Sequence, residues 1–284
     1  MNIQKVTVIG AGIMGAGIAQ VCARQDLAVT LVDVSQETLV RGIDSIDSSL
    51  QQAVSKGQLS PADMQRILRN ISTAAGSQKA AANADLIIEA VSENIDLKKK
   101  LFAEFDRIAP EHTVFASNTS SLSITEMGAA TQRPDKMIGI HFFSPVPLIK
   151  GVEVIKGFRT SDETVNVILV FLAKIKKEPI FAKDSPGFIV NRILPLFVNE
   201  AFHVIQEGIA SAEDVDKACT MMLQRPIGPM RLADFVGLDT VLAVLEHMHR
   251  EMGEKYRPCT LLKQLVKAGH HGRKTGKGVY EYDK

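Results

Sequence analysis

The sequence predicts an α/β fold: a mostly parallel sheet with helices over residues 1–184, followed by an all-helical C-terminal domain over residues 185–284. Two observations predict it. Short β-branched apolar runs alternate with helical patterns as far as Lys183, as expected of strands buried on both faces. After Lys183-Asp184-Ser185-Pro186-Gly187 the strand signal almost vanishes and helical stretches remain. The length of 284 residues suits two domains of roughly 150 residues each.

The elements follow in order. Residues 3–9 read as a buried strand, 16–24 as a helix, and 28–32 as a second buried strand ending at Asp33. Two long polar-apolar helical patterns cover 35–56 and 61–68, with Pro61 a suitable first residue behind the capping Ser60. Strands are predicted at 85–91, 113–116, 136–141, 151–155 and 179–182, and helices at 98–108 and 164–176. Beyond the boundary near Asp184, helices are predicted at 188–207 (stopped by Gly208), at 212–223 (led by Ser211), within 232–252 and at 261–268. The Gly-, Lys- and Arg-rich end reads as a loop.

Composition narrows the function. Hydrophobic residues make up 45% and charged residues 23%, which suits a globular chain with a sizeable core. With 33 basic against 32 acidic residues, the net charge of +1 offers no electrostatic case for a nucleic-acid or membrane-surface partner. No apolar run approaches the ~18 residues of a membrane span. The first residues lead straight into a strand-like segment, so no signal peptide is expected. Cys22, Cys219 and Cys259 are odd in number, far apart and fit no metal spacing. Each reads as a small buried apolar residue in a reducing compartment, and the expected location is cytoplasmic.

Gly10-Ala11-Gly12-Ile13-Met14-Gly15 follows the first strand and opens a helix. In that setting Gly10 allows a tight turn, Gly12 lets the backbone approach a pyrophosphate, and Gly15 permits close helix–strand packing. The unpaired N–H groups of the helix start, around Ile13 and Met14, suit phosphates. Asp33 can accept hydrogen bonds from ribose hydroxyls and would repel a 2′-phosphate, which favours NAD over NADP. The sheet is therefore expected to be of the Rossmann type.

Of the seven histidines, His141 stands apart because it ends a buried strand pattern and precedes Phe142-Phe143-Ser144-Pro145-Val146-Pro147. Ligands of doubly wound sheets sit outside the carboxyl ends of strands, and the prolines restrict the chain leaving that end. Glu153 lies inside the apolar run Val152-Glu153-Val154-Ile155. If buried it needs a partner, and a His–Glu pair would fix the imidazole tautomer and stabilise its protonated form. An exposed edge-strand Glu is the equal alternative. Ser117-Asn118-Thr119-Ser120-Ser121 brings polar groups to the same rim or caps the next short helix. Asn191 starts the first helix past the boundary, as a helix-surface residue or as a side chain reaching a cleft. The other histidines read as structural or exposed.

Together these segments, with Asp184-Ser185-Pro186-Gly187-Phe188-Ile189-Val190-Asn191-Arg192 and Gly276-Lys277-Gly278-Val279-Tyr280, resemble the 3-hydroxyacyl-CoA dehydrogenase family over almost the whole chain. The resemblance implies His141 as catalytic base, Glu153 as its orienting partner, and Ser120 and Asn191 as hydrogen-bonding groups for the reacting oxygen. It implies NAD held by Gly10, Gly12, Ile13, Met14, Gly15 and Asp33, with Glu93, Lys98, Asn118 and Lys274 near it. Ser49 and Lys56 match positions that touch coenzyme A. Ser144 departs from the Asn that relatives often carry. An acyl-CoA substrate and a homodimer through the C-terminal domain are implied, with no metal. Two rivals share the scaffold: a gulonate-type hydroxyacid dehydrogenase and a non-catalytic, crystallin-like NAD-binding protein.

Overall fold

The structure, a computed structural model, describes residues 2–76 and 78–283, and of residues 78 and 79 only the backbone. The chain divides into two compact units, residues 1–188 and 189–284. The division lies past Asp184 because that side chain is tied into the first unit. Its carboxylate accepts the Ser123 hydroxyl and the Thr125 N–H, each at 2.8 Å.

The first unit runs β1 (Lys5–Ile9), α1 (Ile13–Ala23), β2 (Ala28–Asp33), α2 (Gln36–Ser55), α3 (Pro61–Arg69), β3 (Ile71–Ala75), α4 (Gln78–Ala81), β4 (Leu86–Glu89), α5 (Ile95–Ile108), β5 (Val114–Ser117), α6 (Ile124–Ala129), β6 (Met137–His141), β7 (Gly151–Lys156), α7 (Asp162–Lys174) and β8 (Glu178–Lys183). The sheet order is β3-β2-β1-β4-β5-β6-β7-β8. Neighbours are parallel except β6 and β7, which pair antiparallel. Strand order reverses around β1, which opens a crevice at the carboxyl ends of β1 and β4.

Strand alternation feeds two apolar layers. Leu86 and Ile88 join one with Leu39, Ile46 and Leu50 of α2 and Ile168 and Phe171 of α7. Ile87 points the other way, to Phe102 and Phe105 of α5 and Met127 of α6. Both faces of β4 and β5 are buried, so their sequences are apolar runs ending in a polar residue at the rim.

Two elements of the first unit, β3 and α4, were not expected. β3 reads Ile-Ser-Thr-Ala-Ala, a short edge strand with exposed Ser72 and Thr73, so it carries little apolar signal. α6, the short helix that follows the polar run 117–121, has only 6 residues, of which Ile124, Met127 and Gly128 are buried.

The second unit comprises α8 (Val190–Gln206), α9 (Ala212–Met221), α10 (Pro229–Val236), α11 (Leu238–Met252) and α12 (Thr260–Lys267). Val198, Phe202, Met230, Leu238, Leu245 and Leu262 form its core. The helical pattern within 232–252 is broken by Gly237, whose φ of +103° suits a residue without a Cβ. The C-terminal segment is more ordered than a loop. Buried Asp234 accepts the Val279 and Tyr280 N–H groups at 2.8 and 2.9 Å and the Tyr282 hydroxyl at 2.9 Å. Cys22 and Cys259 are buried, whereas Cys219 is only half-buried, on the surface of amphipathic α9. Burial pushes the Cys22 thiol far up.

Candidate active site

The glycine turn is built as its sequence requires. Gly10 has φ +101°, and a Cβ there would meet the Ala90 carbonyl oxygen at 2.5 Å. A Cβ on Gly15 would lie 1.7 Å from the Gly10 carbonyl oxygen, so helix and turn touch backbone to backbone. At Gly12 a Cβ would meet nothing within 4 Å. Internal packing therefore does not require a glycine there, and the space outside it is open. Gly12 is also the N-cap of α1 and supplies no side-chain cap, which leaves the first N–H groups, including those of Ile13 and Met14, available to an anion.

Asp33 is aimed by two backbone donors, Ala11 N–H at 2.9 Å and Ser35 N–H at 3.0 Å. It closes one side of a cleft of about 420 Å³, whose walls are the apolar Ile9, Val32, Val34, Ala90, Val91 and Leu97. An apolar slot for a flat ring, a carboxylate for ribose and a bare helix start for phosphate fit a dinucleotide.

His141 ends β6 and is directly opposite Glu153 of β7 in the antiparallel register. Opposed residues in such a pair project to the same face. Their side chains meet at 2.6 Å, imidazole Nδ1 to carboxylate Oε2. Both are buried, at 6% and 1% exposure. β7 lies between β6 and β8, so the edge-strand alternative for Glu153 does not hold. A carboxylate at Nδ1 fixes the proton there and leaves Nε2 as the basic end. The Phe143 ring lies 4.3 Å from the imidazole and the Phe188 ring 6.0 Å away. Asn118 Oδ1 accepts the Phe142 N–H at 2.8 Å, which binds the rim of β5 to the residue after His141. The Ser144–Pro145 bond is cis, and Ser144 is exposed.

Glu93 gathers the loop after β5. Its Oε1 accepts the Thr119 hydroxyl at 2.5 Å, the Ser120 N–H at 2.9 Å and the Ser120 hydroxyl at 3.2 Å. Burial would raise its carboxyl, but the Lys98 charge and these donors hold it below the usual range. Lys98 is 1% exposed and pairs with Glu89 at 2.5 Å and Glu93 at 3.3 Å. It lies beneath the loops, where it holds Glu93. Sequence reasoning missed Glu89, and it gave Ser117 and Thr119 only as polar groups of the rim. The argument that flagged Glu153, a carboxylate in an apolar strand, applies equally to Glu89.

Four further expected residues are placed as follows. Ser49, on α2, accepts a hydrogen bond from Gln20 Nε2 at 3.0 Å, and Lys56 is the exposed C-cap of the same helix. Asn191 lies in the first turn of α8, and Lys274 pairs with Asp239 at 2.6 Å, both in the second unit. Among the described residues no cluster of His, Cys, Asp and Glu could hold a metal ion. No helix among them is long and apolar enough to cross a membrane.

Comparison with known proteins gives a consistent picture. The family model for the NAD-binding domain of 3-hydroxyacyl-CoA dehydrogenase matches residues 5–185, and the model for its C-terminal domain matches residues 187–282. A probable 3-hydroxybutyryl-CoA dehydrogenase of Bacillus subtilis is 42% identical, over 100% of this chain and 99% of its own. The mitochondrial hydroxyacyl-coenzyme A dehydrogenase of Homo sapiens is 41% identical, over 99% and 91%. The crystal structure of (S)-3-hydroxybutyryl-CoA dehydrogenase from Ralstonia eutropha superposes with a TM-score of 0.95 at 45% identity, covering 100% of both chains.

Proposed function

The chain belongs to the 3-hydroxyacyl-CoA dehydrogenase family, and from that premise we propose that it oxidises (S)-3-hydroxybutyryl-CoA reversibly to the 3-ketoacyl-CoA with NAD. It is an NAD-dependent oxidoreductase. The observation that carries the reading is the buried His141–Glu153 pair at the carboxyl rim of the sheet that also bears the glycine turn.

NAD, when bound, would supply the hydride acceptor for C3 of the substrate. Gly10, Gly12, Ile13, Met14, Gly15 and Asp33 would hold it, with Glu93, Asn118 and Lys274 as further contacts and Lys98 supporting Glu93. His141 Nε2 removes the hydroxyl proton, and Glu153 stabilises the imidazolium that results. In the reverse direction the imidazolium returns that proton to the developing alkoxide. The Ser120 hydroxyl and the Asn191 amide are assigned to the reacting oxygen, and Ser49 and Lys56 to the coenzyme A portion. These roles rest on family resemblance.

Three finer readings go with this one. The substrate class places the enzyme in fatty-acid or butanoate metabolism. Three cysteines without disulfides suit a reducing, cytoplasmic setting. The second unit is assigned to homodimerisation.

The test is NADH oxidation by a chain-length series of 3-ketoacyl-CoAs from acetoacetyl-CoA upward, repeated with NADPH, beside gulonate with NAD. Fastest turnover with acetoacetyl-CoA and NADH is expected. Turnover of gulonate alone would establish the rival substrate class. Tight NADH binding with no turnover of any substrate would establish the non-catalytic one.

A further inference from the structure

The mechanism above leaves the buried carboxylate of Glu89 without a role. Glu89 ends β4 and is 0% exposed. It lies directly beside Ser117, its partner in the parallel register of β4 and β5. Glu89 Oε2 accepts the Ser117 hydroxyl at 2.6 Å. Glu89 Oε1 accepts the Val91 N–H at 2.7 Å and the Lys98 ammonium at 2.5 Å. One side chain therefore holds the first turn of two consecutive rim loops.

The same ammonium also faces Glu93 Oε2 at 3.3 Å, and Glu93 Oε1 in turn holds the Ser120 N–H and hydroxyl. A single buried cation is thus divided between two carboxylates, closer to one than to the other. Buried as it is, Lys98 cannot retreat to water and must keep an anionic partner. If the charge on Glu89 is removed, Glu93 becomes that partner. The Glu93 carboxylate then turns toward Lys98 and loosens its hold on Ser120. Burial pushes the Glu89 carboxyl up against the opposing pull of Lys98.

We propose that Glu89 is a positioning residue for the Ser120 hydroxyl, acting through the Lys98–Glu93 pair. Its effect on turnover rests on the proposed role of Ser120 at the reacting oxygen. Its effect on the loop does not.

The experiment uses the full chain carrying Glu89→Gln, with and without Ser120→Ala, and Ser117→Ala as a milder second variant should the first fold poorly. Two readouts are taken. Amide hydrogen exchange of residues 117–122 is expected to quicken about tenfold in Glu89→Gln, while the α1 segment is unchanged. The kcat for acetoacetyl-CoA reduction is expected to fall about tenfold in Glu89→Gln, and that loss should vanish in the Ser120→Ala background, since effects along one path do not add. Ser117→Ala should move both readouts the same way by about threefold. Unchanged exchange, or an equal loss in both backgrounds, overturns the proposal. If the wild type reduces no 3-ketoacyl-CoA, the functional reading falls and the exchange result alone decides the role of Glu89.

Discussion

His141 and Glu153 meet because of a register. In an antiparallel pair a slip of one residue sends a side chain to the other face of the sheet. The direct opposition of these two residues is therefore what brings a carboxylate to Nδ1. His141→Gln keeps size and some hydrogen bonding but cannot take a proton at neutral pH. Turnover of 3-hydroxybutyryl-CoA should fall by at least about 100-fold, the lower range of general-base contributions. NADH affinity, read by fluorescence titration, should stay within about twofold, because the glycine turn and Asp33 lie on β1 and β2. Activity near wild type would remove His141 from the mechanism. The position of His141 at a strand end was legible in local sequence. Its partner Glu153 was legible only as one of two equal readings, because strand pairing is non-local and the run around it reads equally well as an edge. Glu89 was legible in principle, since its strand is apolar throughout and a buried carboxylate there must be paired. Lys98 carried no such signal. It stands among three consecutive lysines of an amphipathic helix, and only the fold shows which one turns inward.

At the level of elements, the β1–turn–α1–β2 unit was readable because each glycine answers a local steric demand. Gly15 shows this best, where any Cβ would collide with the Gly10 carbonyl. β3 was not readable because an exposed edge strand needs no apolar face. The opposite end of the sheet holds a clasp that motif reasoning also passes over. Asp85, just before β4, accepts the Gln4 and Lys5 N–H groups at 2.8 and 2.9 Å, and the His112 ring at 3.0 Å. It thereby joins the starts of β1, β4 and β5. Burial would raise the Asp85 carboxyl, but these backbone donors and His112 hold it below the usual range. A carboxyl lowered on folding gives stability that is fully present above its unfolded value, near pH 4, and is lost as pH falls through its folded value. Asp85→Asn should therefore lower stability at neutral pH and flatten the acid limb below about pH 4. Denaturant midpoints measured from pH 2 to 7 check this, and parallel curves for variant and wild type would refute it.

Considered whole, the molecule carries apolar residues in solvent that its own core does not require. In the second unit Ile209, Met221, Met222, Leu223, Phe235 and Val236 are exposed, with Met222 at 81%. They fall at the ends of α8 and α9 and on α10, whose opposite faces fill the core of that unit. Exposed apolar side chains of this kind can be covered by a second copy of the same surface through two-fold symmetry. A stable interface of this kind covers on the order of 800 Å² per partner, so a few large side chains at its centre dominate it. Charged substitution at that centre should separate the copies without touching the core. Sedimentation velocity on the wild type should give a dimer at micromolar concentration. Met222→Lys combined with Leu223→Lys should give a monomer with an unchanged circular dichroism spectrum, because both side chains already lie in solvent within one chain. A wild type that sediments as a monomer, or a double variant that stays dimeric, would place the apolar grouping outside any interface between copies.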